Sequence, residues 1–411
     1  MRFPLIASPL VLALAACGLN GTDAKKDDSQ PAASSTAVAQ ARPAGWSDDP
    51  LASHDPAGNA PLDPAARDDK PRPTMQAQVV LDRLGFTPGV VDGETGLSTK
   101  NAILAFQQAN GLPQSGTLDA ATKAKLGQWS NIPATRVVTI PAEFAAGPFY
   151  KTPDEPADQA RMPALTYASL DEKLAERFHT TVAVLKEINP GGVPAGMTAP
   201  ASASASPSPS PTPTPSANAS GAGFTPQPGP PSTFHAGQQI RVPNVGADRI
   251  DPGAVDDGGW LNTLRMLGVG TDQPKADKIV VDKSAGTLEA FDAAGKLVAA
   301  FTATMGSTHD PLPLGEWKIL GVDRNPSFHY NPDLFWDAKA SDEKAKLPPG
   351  PNGPVGGVWI DLSKEHYGIH GTAEPQSIGR AQSHGCVRLT NWDAARLAQM
   401  VSTTTKASFV A

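Results

Sequence analysis

Ser383-His384-Gly385-Cys386-Val387-Arg388 is the stretch that decides how the last third of this 411-residue chain is read. Upstream stands Tyr367-Gly368-Ile369-His370-Gly371-Thr372, with His370 sixteen residues before Cys386. A thiol becomes a strong nucleophile only as the thiolate, and an imidazole within reach can take its proton. Gly385 lets a substrate approach the backbone without meeting a side chain. The N–H groups around Gly385 and Cys386 are then placed to hold a developing oxyanion. If 386–388 is extended, residues two apart face the same way. Arg388 then stands beside the thiol and offers a bidentate grip to a carboxylate.

Other readings of these residues stay open at this point. A lone cysteine is often a small buried apolar residue. His370, His384 and Cys386 also form a possible set of three zinc ligands with an open fourth position. Against zinc, the sequence has no Cys-x-x-Cys or His-x-x-x-His pair and no evident fourth ligand, so no metal and no other cofactor is expected. A papain-like arrangement needs its cysteine before its histidine, and here the order is reversed.

The blocks His370-Gly371-Thr372 and Ser383-His384-Gly385-Cys386-Val387-Arg388-Leu389 closely resemble the signature of the L,D-transpeptidases (YkuD domain). The resemblance continues through Thr390-Asn391-Trp392-Asp393-Ala394. Upstream it takes in Gly357-Val358-Trp359-Ile360-Asp361-Leu362 and Asn325 to Pro332. It implies a β-sandwich, with Cys386 as nucleophile, His370 as general base and His384 as a second essential group. It also implies that the Gly371 carbonyl holds the other nitrogen of His370. Ser383, His329 and Tyr330 are candidate cleft residues, although Ser383 could support the loop and the other two could serve packing. The implied reaction begins when Cys386 attacks the third residue of a tetrapeptide stem and expels the terminal D-alanine. An amine of a second stem or of a protein lysine then resolves the thioester. Resolution by water would make a carboxypeptidase or amidase instead, and a catalytically dead wall-binding scaffold is the alternative from another class.

The local patterns agree with a mainly β catalytic domain over 276–411. Short strands are expected at Lys278–Asp282, Thr287–Phe291, Leu297–Met305, Gly315–Leu320, Gly357–Leu362, Tyr367–Gly371 and Ala407–Val410. One helix is expected over Trp392–Val401, with Thr390 and Asp393 close to a capping box. Ala338–Lys346 reads as a helical excursion. Residues 246–275 read as a connector with a helix over Asp257–Leu267, and the catalytic part is expected to work without the front half.

Composition frames the rest. Charged residues are 18% and the formal charge is −7. No block of five or six like charges occurs, so no nucleic-acid partner is expected. Met1–Cys17 reads as a leader too short to span a bilayer. Its Leu14-Ala15-Ala16-Cys17 end resembles a lipobox, which makes Cys17 a lipidated N-terminus and anchors the protein to a membrane. By resemblance to Gram-negative lipoproteins, Gly18 favours the periplasmic face of the outer membrane. Residues 18–73 are poor in large apolar side chains and read as a disordered tether. Residues 74–130 carry three short helical patterns and resemble a PGBD-like peptidoglycan-binding domain, with Ser98 and Thr117 or Asp119 as candidate caps. Over 131–245 the pattern is strand, helix, helix, Asn189-Pro190, strand. It resembles a glycan-gripping LysM module, interrupted by a Pro/Ser/Thr-rich insert at 193–233.

Overall fold

The computed structural model describes residues 68, 70–197, 224–245, 250–381 and 383–411. The leader with Cys17, most of the tether and most of the insert lie outside the described residues.

The front of the described chain has α1 (Pro73–Arg83), β1 (Phe86–Thr87), α2 (Leu97–Ala109) and α3 (Ala120–Leu126). Pro73 opens α1, where its missing N–H costs nothing. Asp119 caps α3 by accepting the Thr122 N–H at 2.8 Å, as its sequence position suggests. Ser98 does not cap α2: Gly96 is the N-cap, and Ser98 lies inside the first turn.

Next come β2 (Thr135–Thr139), the one-turn helices α4 (Ala142–Ala145) and α5 (Pro156–Gln159), then α6 (Leu170–Arg177), α7 (Val182–Glu187) and β3 (Gln239–Pro243). Ser169 caps α6 and Thr181 caps α7. β2 and β3 pair antiparallel, so the two strands expected far apart in sequence meet with α6 and α7 between them.

The C-terminal part begins with α8 (Gly258–Leu267), followed by β4 (Lys278–Asp282), β5 (Thr287–Phe291), β6 (Leu297–Thr302), β7 (Thr304–Met305) and β8 (Gly315–Arg324). β9 (Phe328–Tyr330), β10 (Ala345–Leu347), β11 (Val358–Leu362), β12 (Gly368–His370), β13 (Val387–Arg388), α9 (Asn391–Met400) and β14 (Lys406–Val410) complete it. The main sheet runs β1-β6-β5-β4-β14-β8-β11-β12-β13-β7. β8 pairs through Gly315–Lys318 with β14 and through Ile319–Arg324 with β11, so one long strand passes from one half of the sheet to the other. β6 and β7 are one stretch of chain broken at Ala303, yet β7 ends the strand order on one side and β6 lies next to last on the other. Strands that switch halves in this way make the corners of a sandwich. β9 and β10 form a separate ribbon.

Three further expectations are corrected. Ala338–Lys346 is not helical: turns lead into β10, whose backbone pairs with β9. Asp393 returns no capping-box bond; only the Thr390 hydroxyl does its part, accepting the Asp393 N–H at 3.1 Å. The connector is not a spacer, because α8 buries Trp260, Leu264 and Leu267 in the same core as β4–β6, β11 and α9.

The front half is not detached either. β1 joins the edge of the catalytic sheet, pairing Phe86 with Ala300 and Thr87 with Phe301. Leu297 and Ala300 of β6 pack with Leu81, Phe86 and Phe106 in one core. Met75, Val79 and Val80 of α1 pack with Leu174, Phe178 and Ile240 in another. All three parts converge on Asp82, which is fully buried. Its carboxylate meets Arg396 Nη2 at 3.1 Å and His179 Nδ1 at 3.1 Å. Burial alone would raise the Asp82 pKa, but Arg396 and His179 outweigh it and hold the carboxyl at about 2. Removing one member of a buried ion pair leaves its partner uncompensated. Asp82→Ala should therefore destabilise the whole protein by about 3–5 kcal/mol, read as a lower urea midpoint of one cooperative transition. A separate early transition confined to residues 70–245 would contradict this coupling.

Candidate active site

Register brings the expected site residues together. β12 and β13 pair in parallel, with His370 opposite Arg388. Residues opposite one another leave a sheet on the same face, and residues two apart share a face. Cys386, two before Arg388, thus joins both. Across β11, Trp359 lies opposite His370 and stacks on it, with ring centroids 5.7 Å apart.

His370 is buried, and its backbone is pinned. The Leu389 N–H donates to the His370 carbonyl at 2.8 Å, and the Gly371 N–H donates to Val355 O at 3.1 Å. The ring Nδ1 lies 2.7 Å from Gly371 O. A carbonyl only accepts, so Nδ1 carries the proton and Nε2 keeps its lone pair. Gly371 has to be glycine: a Cβ there would sit 2.1 Å from Asn391 Oδ1. Burial first, then the nearby Arg388 charge, hold His370 down at about 4, against the opposing bond to Gly371.

Cys386 is a free, partly buried thiol whose Sγ lies 3.8 Å from His366 O. Burial pushes its pKa up and Asp310 adds to this, while the Gly368 backbone and Arg388 pull it back. The resting pair is therefore a neutral thiol beside a neutral imidazole. Gly385 holds φ +96°, and a Cβ on it would meet the Tyr367 ring at 2.4 Å. Only glycine tolerates that backbone together with that neighbour. The Arg388 Nε is buried with no hydrogen-bond partner among the described residues.

The other candidates fall elsewhere. Ser383 is 3% exposed; its hydroxyl donates to Cys386 O at 2.6 Å and accepts the Gly306 N–H at 2.7 Å. Its place is beneath the nucleophile loop, not on the cleft, which corrects the substrate-binding expectation. His384 turns to Asp337, with Nε2 2.9 Å from Oδ1, between Phe335 and Trp336. Trp336 is 59% exposed and also stacks on His309. Tyr330 donates to Asp342 at 2.8 Å and stacks on Phe335, whereas His329 is exposed on the β9–β10 ribbon. Among the described residues, no three His, Cys, Asp or Glu side chains converge to hold a metal. Sequence reasoning gave no role to Trp359, Tyr367, Asp310 or Asn391. Trp359, Tyr367 and Asn391 lie inside quoted blocks, and nothing local marks Asp310.

Residues 276–408 match the model of the L,D-transpeptidase catalytic domain, YkuD. The chain carries a YkuD catalytic domain. Residues 73–126 match a second model, "Putative peptidoglycan binding domain". Two proteins named "Putative L,D-transpeptidase YkuD" are similar. That of Bacillus licheniformis is 53% identical over 32% of this chain and 64% of its own length. That of Bacillus subtilis is 52% identical over 27% of this chain and 52% of its own length. The match thus spans less than two thirds of either relative. Among solved structures, an L,D-transpeptidase from Mycobacterium smegmatis is similar at 24% identity, over 33% of this chain and 59% of that one, with a TM-score of 0.28.

Within the YkuD domain the depressed His370 has a pH signature. Between its ordinary 6.5 and about 4, the unfolded chain binds a proton that the native chain refuses. This contribution to stability is complete above 6.5 and is lost as pH falls to about 4. It amounts to about 3 kcal/mol. Urea unfolding at pH 7, 5.5 and 4 should show wild type losing about that much relative to His370→Gln. Parallel curves for the two proteins would mean that His370 is not held neutral by the fold.

Proposed function

We propose that this chain is an L,D-transpeptidase that acts on peptidoglycan stem peptides through a thioester on Cys386. The observation that carries this reading is one sheet face presenting a free thiol, an imidazole with its Nε2 lone pair available and an unpartnered arginine. The YkuD match and the similar proteins named L,D-transpeptidase support the same chemistry.

Each residue has a defined task. His370 Nε2 takes the thiol proton as Cys386 Sγ attacks the carbonyl carbon of the third stem residue. N–H groups beside Gly385 and Cys386 receive the oxyanion. The C–N bond to the terminal D-alanine breaks, and the leaving amine takes the proton back from His370. A second amine, from another stem or a protein lysine, then attacks the thioester, gives up its proton and frees the thiol. Arg388 holds a substrate carboxylate. Asp310 has one buried carboxylate oxygen without a partner, and its charge reaches Cys386, so it suits an incoming ammonium better than an incoming water.

The front half serves attachment in this reading. The peptidoglycan-binding match and the strand-helix-helix-strand module, read as LysM-like, supply grips on glycan. The Leu14–Cys17 sequence supports a lipid anchor at Cys17 on the periplasmic face of an outer membrane.

Purified protein with tetrapeptide muropeptides, followed by mass spectrometry, tests the reaction. Transfer predicts dimers linked between third residues, in a yield that rises with acceptor. Cys386→Ala should form none and should lose the covalent adduct with a carbapenem. Product formation by that variant would sink the proposal, and tripeptides alone would make the enzyme a hydrolase.

A further inference from the structure

The YkuD domain does not assemble its base by itself. The turn carrying His370 and Gly371 is backed by Asn391, at the start of α9. Asn391 Oδ1 sits against Gly371 and Gly356 so closely that a Cβ at either would lie 2.1 or 1.8 Å away. It also accepts the Gly357 N–H at 3.3 Å. An amide pressed this tightly between two backbone segments sets their separation, provided its own orientation is fixed.

That orientation comes from outside the domain. Asn391 Nδ2 donates to Glu176 Oε1 at 2.7 Å, a buried bond between residues 215 apart in sequence, and to Pro351 O at 3.1 Å. Glu176 belongs to α6, in the module before the catalytic domain. The same module grips the adjoining loop. Asn352 donates from its backbone to Leu165 O at 3.0 Å and from its side chain to Glu172 Oε1 at 3.1 Å. The Leu165 N–H donates to Pro349 O at 3.0 Å. This loop then supplies Val355 O, which accepts the Gly371 N–H.

We infer that Glu176 is a positioning residue for the general base: through Asn391 it fixes the Gly371 turn, and with it the His370 imidazole. The chain of contacts is continuous, from Glu176 to Asn391, to the Gly356 and Gly371 backbones, to the Gly371 carbonyl that holds His370 Nδ1. Burial pushes the Glu176 carboxyl up to about 7, so it spends much of its time neutral and a glutamine reproduces it closely. The module read as a glycan grip thus has a second task, completing the catalytic site. The inference rests on the reading of Cys386 and His370 as an acylating pair.

The test uses the full chain and the rate of Cys386 acylation by a carbapenem, with iodoacetamide alkylation beside it. Glu176→Leu keeps the buried volume but removes the acceptor; Glu176→Gln keeps both. Glu176→Leu should fold cooperatively and acylate more slowly at neutral pH by roughly ten- to a hundred-fold, the scale of a small misplacement of a catalytic group. Glu176→Gln should stay within about two-fold of wild type. Alkylation at alkaline pH, where the thiol ionises without a base, should be unchanged in both. Wild-type acylation by folded Glu176→Leu would overturn the inference, as would a glutamine variant no better than the leucine one. A loss that persists in alkaline alkylation would overturn it too, since the cleft rather than the base would be damaged. Cys386→Ala, run alongside, separates this from failure of the underlying reading: that reading falls only if the alanine variant still becomes acylated.

Discussion

A carboxylate with no access to water holds this protein together. Asp82 comes from α1, His179 from the turn after α6, and Arg396 from α9, so one buried charge is compensated by two parts of the chain that are distant in sequence. His179 spends its other nitrogen on Leu267 O at 2.9 Å and lies flat on Trp392, with centroids 4.9 Å apart. Arg396 adds a second bond, from Nη1 to Asp82 O at 2.6 Å. Such a cluster is weak as a source of net stability, because desolvating the charges costs nearly what their attraction returns. Its effect is on geometry. Any docking of the three parts that fails to bring all three side chains together strands a charge in a dry interior. The apolar surfaces around it, which alone would tolerate sliding, are thereby held to one arrangement.

This arrangement reaches the active site through a single helix. α9 begins at the Thr390 cap with Asn391, whose amide backs the base, and one turn later presents Arg396 to Asp82. Asp393 lies between them, its carboxyl raised to about 6 mainly by burial, with the Arg396 charge opposing. Whatever seats α9 against the front modules also seats Asn391 against Gly371. The YkuD domain is therefore separable in sequence but not in packing, and its tenth strand, β1, is lent by the peptidoglycan-binding segment.

The legible and illegible parts of the sequence divide along this line. The placement of Cys386, His370, Gly371, Gly385 and Arg388 could be read because it is set within short stretches, where strand alternation and a glycine's freedom act over two or three residues. The helix caps at Asp119 and Thr390 were readable for the same reason. What failed depended on partners far away. Asp393 looked like half of a capping box, but it lies in a buried cluster with residues from other modules. Ser383 looked like a cleft residue because of its neighbours, yet a backbone amide 77 residues upstream occupies its oxygen. The 338–346 stretch has helix-forming residues, but its backbone turns through 338–344 and only its end, from Ala345, pairs with β9. α8 had a helical pattern and no sign of where its apolar face would go. The longer helices of the front half and strands β2 and β3 were readable, but β1 and the packing of the front half on the main sheet were not, because nothing local says that two cores will share α1.

The electrostatics of the cleft complete the picture. His370 and Cys386 share one face with an arginine, and burial disfavours charge on both. Arg388 acts on them in opposite directions: it suppresses protonation of His370 and favours ionisation of Cys386. A pre-formed thiolate–imidazolium pair is disfavoured because the imidazolium would be buried beside a like charge. A carboxylate that pairs with Arg388 cancels part of that positive field. In the proposed reaction a carboxylate held by Arg388 would therefore raise the proton affinity of His370. In the empty cleft burial and the arginine together keep the imidazole neutral, while burial keeps the thiol protonated against the pull of the arginine.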